Sequence, residues 1–155
     1  KCLGLRIGGL VLQFGFKRYV SLYGVSRLSP LPKCSRAASA GMVDAWTPVA
    51  DGRARRSRGA SRPVVFTELG YRSSDYAAAR PWEHHGGARN LALQSDAFAA
   101  FFRAIWPQPW FGGVYVWKWE SYPNHARADD TDFPIEHKPA EGVVRRYFSG
   151  SASPK

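Results

Sequence analysis

A chain of 155 residues with 45% hydrophobic content is long enough for one ordinary domain with a buried core. Its formal net charge of +10 would suit a polyanion partner, but the excess is local: residues 1–62 hold 12 Lys and Arg against two acids, Asp44 and Asp51. Residues 63–155 hold 10 basic and 10 acidic side chains, so a uniformly basic nucleic-acid-binding protein is excluded.

Residues 7–16 are an uncharged run too short to span a bilayer, with no small-residue cleavage site close behind, and read as a buried strand. Cys2 and Cys34 have neither metal spacing nor a disulfide framework and read as isolated thiols. Residues 50–62, "ADGRARRSRGASR", carry five arginines and no apolar face. Such a run buries too little apolar surface to offset chain entropy and is expected to be irregular.

The next stretch, "PVVFTELGYRS", reads as a short strand over 63–69, opened by Pro63 and ending on Glu68. A carboxylate at the last buried position of a strand is costly unless it has partners or a task. Strict alternation places Val64, Phe66 and Glu68 on one face. A loop rich in Ala, Gly, Ser and His follows. "QSDAFAAFFRAIW" then spaces Ala97, Phe98, Phe101, Phe102 and Ile105 as a helix, with Ser95 or Asp96 near the cap. "FGGVYVWKWE" reads as a second strand over 112–119, with Tyr115, Trp117 and Trp119 sharing a face. A polar loop containing Asp129, Asp130 and Asp132 lacks the glycine and closing glutamate of a calcium loop and reads as a solvated turn. "KPAEGVVRRYF" starts a last helix at Pro139, with Val143, Val144, Tyr147 and Phe148 apolar.

Strand, helix, strand, helix is the repeating unit of a parallel α/β sheet or barrel. In a (β/α)₈ barrel the reacting groups project from the C-terminal strand ends, where Glu68, Trp117 and Trp119 fall here. A carboxylate beside indole faces suits sugar chemistry. His84 and His85 are adjacent, without the i, i+4 spacing of a helical metal pair, and read as a solvated loop. No metal or cofactor is expected.

The strings "PVVFTELGYRS", "ARPWE", "QSDAFAAFFRAIWPQPWFGGVYVWKW" and "HKPAEGVVRRYF" resemble, in order and spacing, the last two β/α units of glycoside hydrolase family 113. The resemblance implies a clan A retaining glycosidase fold, a (β/α)₈ TIM barrel, with endo-β-1,4-mannanase as the best-known activity. It implies an α/β chain that is a C-terminal fragment of that barrel, about strands 6 to 8. It further implies that the glutamate of the "TE-x-GY" string, Glu68, is the nucleophile. Trp117, with Trp119 as second choice, would line the sugar subsite, and Tyr71 and Trp82 are the other substrate-binding candidates.

Retaining hydrolysis needs two carboxyl groups about 5–5.5 Å apart. In clan A barrels the second follows an asparagine at the end of the fourth strand; this chain has no Asn-Glu pair and no room upstream for four more units. Half of an active site is therefore expected, inactive alone. The domain reading is a degenerate basic segment over 1–62, a remnant of barrel strand 6 and helix 6, then the last two β/α units over 63–148, then a flexible tail over 149–155. In the first segment "GVSRLSPL" echoes the sixth strand of the family, with Leu28 where a tyrosine is expected, and "MVDAWTPV" resembles the start of the next helix. The chain begins with Lys1, as an excised frame would, and the Arg- and Ala-rich text fits either a shifted frame in a GC-rich gene or a divergent barrel segment. The expected partner is a β-linked polysaccharide or oligosaccharide such as mannan, with no specific nucleic acid and no membrane. The alternative is a basic non-catalytic fragment that binds nucleic acid or another polyanion, which salt-dependent retention on heparin or DNA would reveal.

Overall fold

The computed structural model describes residues 10–14, 18–22, 37–57, 63–75, 77, 87–122 and 125–150. The elements in chain order are β1 (Leu10–Phe14), β2 (Arg18–Leu22), α1 (Ala37–Ser57), β3 (Val64–Leu69), α2 (Leu91–Ile105), β4 (Phe111–Val116) and α3 (Pro139–Phe148). β1 pairs antiparallel with β2, and β3 pairs parallel with β4 in a separate sheet. β1 runs beside β3 without joining its ladder. The fold is α/β, and the two strands expected to be parallel neighbours are. Cys2, Cys34, the 24–31 strand echo and residues 58–62 and 151–155 lie outside the described residues.

α1 corrects the expectation for its own stretch. It continues to Ser57 where irregular chain was expected from residue 50. Met42, Trp46 and Ala50 recur every four residues and are all buried, which anchors the middle of the helix on the core. Alanine and arginine are both strong helix formers and carry the backbone onward from that anchor. Pro48 lies inside the helix and supplies no N–H to its ladder.

α2 also begins earlier than its aromatic spacing suggests. Asn90, not Ser95 or Asp96, is the cap: its side-chain oxygen accepts the Leu93 N–H at 2.9 Å, and its amide donates to Asp75 Oδ1 at 2.7 Å. The buried stripe Gln94, Ala97, Phe98, Phe101, Phe102 and Ile105 then faces the sheet and the other helices. Phe66 of β3 is the hub of that core. Its ring meets Phe101 edge-on at 5.1 Å, and Trp46 of α1 meets both rings edge-on. Phe102 stacks on Tyr147 at 4.6 Å and joins α2 to α3.

α3 starts with Pro139 in its first turn, as the sequence suggests. Its closing turn takes in residues 149 and 150, the first two of the tail expected from residue 149. Ser149 and Gly150 close the helix through N–H bonds to the Arg145 and Tyr147 carbonyls, with Gly150 at φ 74°, a left-handed cap that glycine adopts without a Cβ clash.

All three helices gather on one side of the β3–β4 sheet. Val64, Phe66, Leu69 and Val114 point into them and are buried. The opposite face carries Val65, Glu68 and Tyr115 and is open among the described residues.

The β3–β4 ladder is uneven at two places. Between Val64 and Val65 the partner strand advances from Phe111 to Gly113, so β4 holds one extra residue. Between Phe66 and Leu69 the partner advances only from Val114 to Val116, so β3 holds the extra one. The two offsets are opposite and cancel over the length of the pair.

Candidate functional site

The second offset determines where Glu68 points. Phe66 is buried, and plain alternation would bury Glu68 with it. The β3 bulge instead sets Thr67 and Glu68 together opposite Tyr115, and Leu69 takes the buried place. The expected sharing of a face by Val64, Phe66 and Glu68 is therefore corrected: Glu68 stands on the open face. This placement also removes the desolvation cost that a buried strand-end carboxylate would carry. The Glu68 carboxylate makes no hydrogen bond or ion pair within the described residues.

Of the aromatic side chains expected beside it, Tyr115 stands opposite the bulge on the same face, and Trp117 and Trp119, past the end of β4, are exposed. Tyr115 is 68% exposed, Trp117 49% and Trp119 57%. The ladder ends with the Trp117 N–H donating to the Leu69 carbonyl at 2.7 Å, which fixes Trp117 one residue past the bulge. The peptide between Trp117 and Lys118 is cis. Gly70 follows at once, with its α-carbon hard against this segment; a Cβ there would sit 2.1 Å from the Trp117 carbonyl oxygen. Only glycine allows β3 and the indole-bearing chain to come so close.

Tyr71 does not belong to this group. It is 2% exposed and meets Phe98 of α2 edge-on, so it is a core residue rather than a sugar contact. One residue past Gly70 the chain has already turned inward beneath the sheet. Burial pushes the Tyr71 phenol well above its ordinary pKa, against a smaller opposing effect of the Trp46 side chain. Trp82, His84 and His85 lie outside the described residues.

Two buried charges that the sequence reading passed over fix the loops after the strands. Lys138 has a fully buried ammonium that donates to Asp130 Oδ1 at 2.6 Å, to Ser73 Oγ at 3.1 Å and to the Asp132 carbonyl at 3.1 Å. Ser73, itself buried, donates to the Asp130 and Asp132 carbonyls. Of the three aspartates read as a solvated turn, Asp129 pairs with Arg127 in solvent and Asp132 keeps a half-exposed carboxylate near Arg72, whereas Asp130 does not fit that description. The Asp130 carboxylate and the Asp132 carbonyl close a buried lysine site, which tethers the loop after β3 to the loop before α3. Glu136 is the second charge. It is 6% exposed, and its Oε1 accepts the backbone N–H of Glu120, just past Trp119. Nothing in "PIEHKPA" marks Glu136 and Lys138 as buried, because their spacing of two straddles a turn and not a helix face or strand.

Among the described residues no three His, Cys, Asp or Glu side chains gather to hold a metal, and no helix is long and apolar enough to cross a membrane.

A family model described as Glycoside Hydrolase Family 113 matches residues 18–138, a span that takes in β2, α1, β3, α2 and β4 and ends just before α3. Among solved structures, the chain is similar to the family 113 β-mannanase from Alicyclobacillus acidocaldarius, determined in complex with ManMIm. Identity is 34% and the TM-score 0.62, over 71% of this chain and 36% of that one. Two further structures of a family 113 β-1,4-mannanase, one of them a complex, match at 25% and 26% identity. Both have a TM-score of 0.62 and cover 69% of this chain and 36% of theirs. No curated protein matches. The chain thus spans 36% of the length of these solved relatives.

Proposed function

Since the chain belongs to glycoside hydrolase family 113, we propose that its open sheet face is one side of a retaining glycosidase site for β-linked mannan or a similar β-glycan. β3 and β4 are the seventh and eighth strands of a (β/α)₈ barrel in this reading, and α1 belongs to the unit before them. Glu68 is the nucleophile. Trp117 is the platform on which a sugar ring lies, and Trp119 extends it.

The observation that carries the reading is the β3 bulge. It turns a strand-end glutamate away from the helices and onto the face of Tyr115, at the end of the sheet where the exposed Trp117 and Trp119 follow β4. A nucleophile must stand on a rigid element and be aimed at the anomeric carbon, and a ladder end closed by the Trp117–Leu69 hydrogen bond supplies that rigidity. The relatives named above are called mannanases, which favours mannan as the glycan.

Chemically, the Glu68 carboxylate displaces the leaving oxygen to form a glycosyl ester, and water then cleaves that ester. The first step needs a proton delivered to the leaving oxygen by a second carboxyl group about 5–5.5 Å from the nucleophile. No candidate for that acid is recognisable in this sequence, so the chain alone is expected to hydrolyse mannan at no measurable rate. In a barrel completed by the remaining units, Glu68→Ala should lower turnover by at least about 10³-fold. A fluorosugar trap followed by mass spectrometry should label the peptide that contains Glu68. Wild-type turnover in the variant, or a label on another carboxylate, would show that Glu68 is only a strand end.

A further inference from the structure

Residues 136–138 form a turn with two buried charges of opposite sign on either side of an exposed histidine. His137 has φ 62°, a left-handed conformation that histidine adopts more readily than most side chains. That reversal sends both neighbours inward: Glu136 and Lys138 are buried, whereas His137 is exposed. Each takes hold of a different loop. Lys138 holds the loop after β3 through Ser73, and Glu136 holds the chain after β4 through the Glu120 N–H.

The two grips differ in economy. Lys138 has three partners that offset the burial of its charge. Glu136 has one: its Oε1 meets the Glu120 N–H, while Oε2 is buried and meets no donor of the described residues. A carboxylate withdrawn from water for one backbone contact is costly to the fold. That contact falls on the residue after Trp119. The same segment is pinned at its other end, where Trp117 bonds to Leu69 and abuts Gly70.

We infer that Glu136 is a positioning residue of the sugar platform: it fixes the backbone of segment 117–120, so that Trp117 and Trp119 present their indole faces in one arrangement, and it thereby sets affinity for the glycan. The inference rests on the reading of Trp117 and Trp119 as sugar contacts. Glu136 itself touches neither sugar nor reacting atoms. Its role is carried by an acceptor oxygen at one point in space, so a glutamine, which keeps that oxygen, should substitute for it and an alanine should not.

The test uses this chain at low micromolar concentration with mannohexaose as the probe. Binding is followed by tryptophan fluorescence, and the Glu120 amide by hydrogen exchange. Glu136→Ala should weaken mannohexaose binding about tenfold, the upper end of what one hydrogen bond contributes, and should speed exchange at Glu120 by a similar factor. Amides in α2 should keep their wild-type rates, which a general loss of stability would not allow. Glu136→Gln should stay within about twofold of wild type in both measurements. Unchanged affinity in Glu136→Ala would overturn the proposal, as would equal acceleration at Glu120 and in α2, or a Glu136→Gln variant as weak as the alanine. If the wild-type chain fails to bind mannohexaose, the glycan reading fails and takes the affinity claim with it, while exchange at Glu120 decides the backbone contact separately.

Discussion

Tyr71 shows how one buried group can govern the pH response. Its phenol is pushed above the ordinary tyrosine value chiefly by burial, so the folded state holds the proton more tightly than the unfolded chain does. That preference stabilises the fold fully below the unfolded value of about 10 and is lost as pH rises toward the folded value. The chain should therefore weaken in alkali from about pH 10 upward, in the range where an unfolded tyrosine ionises. Tyr71→Phe keeps the ring against Phe98 and removes the ionisable group. Denaturant melts at pH 8 and about pH 11 should show a smaller loss of stability in the variant than in the wild type. An equal alkaline loss in both would assign the effect to other groups.

α3 has its own sensitivity, in acid. Glu141, in the first turn, accepts the His137 N–H at 2.8 Å and pairs with Arg145 one turn on. The His137 N–H, then Arg145, hold the Glu141 carboxyl below its ordinary value. A depressed folded pKa contributes stability above the ordinary carboxylate range, and that contribution is lost as pH falls through the folded value. Protonation should fray the start of α3, so protection of the amides of residues 138, 140 and 141, measured against the unfolded chain at the same pH, should fall in acid, and Glu141→Gln should remove most of this pH dependence. A start to α3 that is as well protected in acid as at neutral pH would contradict the account. The elements differ in how far they can be read from sequence alone. α3 was legible because Pro139 and the spacing of Val143, Val144 and Tyr147 are local signals. The aromatic stripe of α2 was equally plain, but its cap was not, since Asn90 acts through Leu93 and Asp75 ahead of the stripe. α1 hid the opposite way: its arginine-rich end looked irregular because its anchors, Met42, Trp46 and Ala50, all lie earlier. The facing of Glu68 was illegible in principle. A bulge is a property of two strands in register, and neither strand's own sequence states it.

At the scale of the molecule, the helices cover one face of β3–β4, and among the described residues Val65 and Tyr115 of the other face, with Trp117 and Trp119 beyond β4, are left exposed. Monomeric proteins seldom expose such a contiguous apolar face, and open strand edges beside it invite further pairing. The isolated chain should therefore self-associate with rising concentration, and Tyr115→Lys should shift that onset upward. Sedimentation or light scattering measures both. A monodisperse monomer across the range would mean that residues outside the described set cover this face.

The paired offsets in the β3–β4 ladder carry a consequence for how such a sheet can change over evolutionary time. The extra residue near Gly112 and the extra residue near Glu68 compensate each other, so the two strands reach the end of the ladder in step. Deleting Gly112 alone would close the first offset and keep Val114 opposite Phe66, with Tyr115 still on the open face. Deleting Thr67 alone would make Glu68 the immediate neighbour of buried Phe66, and alternation would still face it away from the helices. Either strand can therefore give up its extra residue without turning the glutamate inward. The two lengths should vary independently from lineage to lineage.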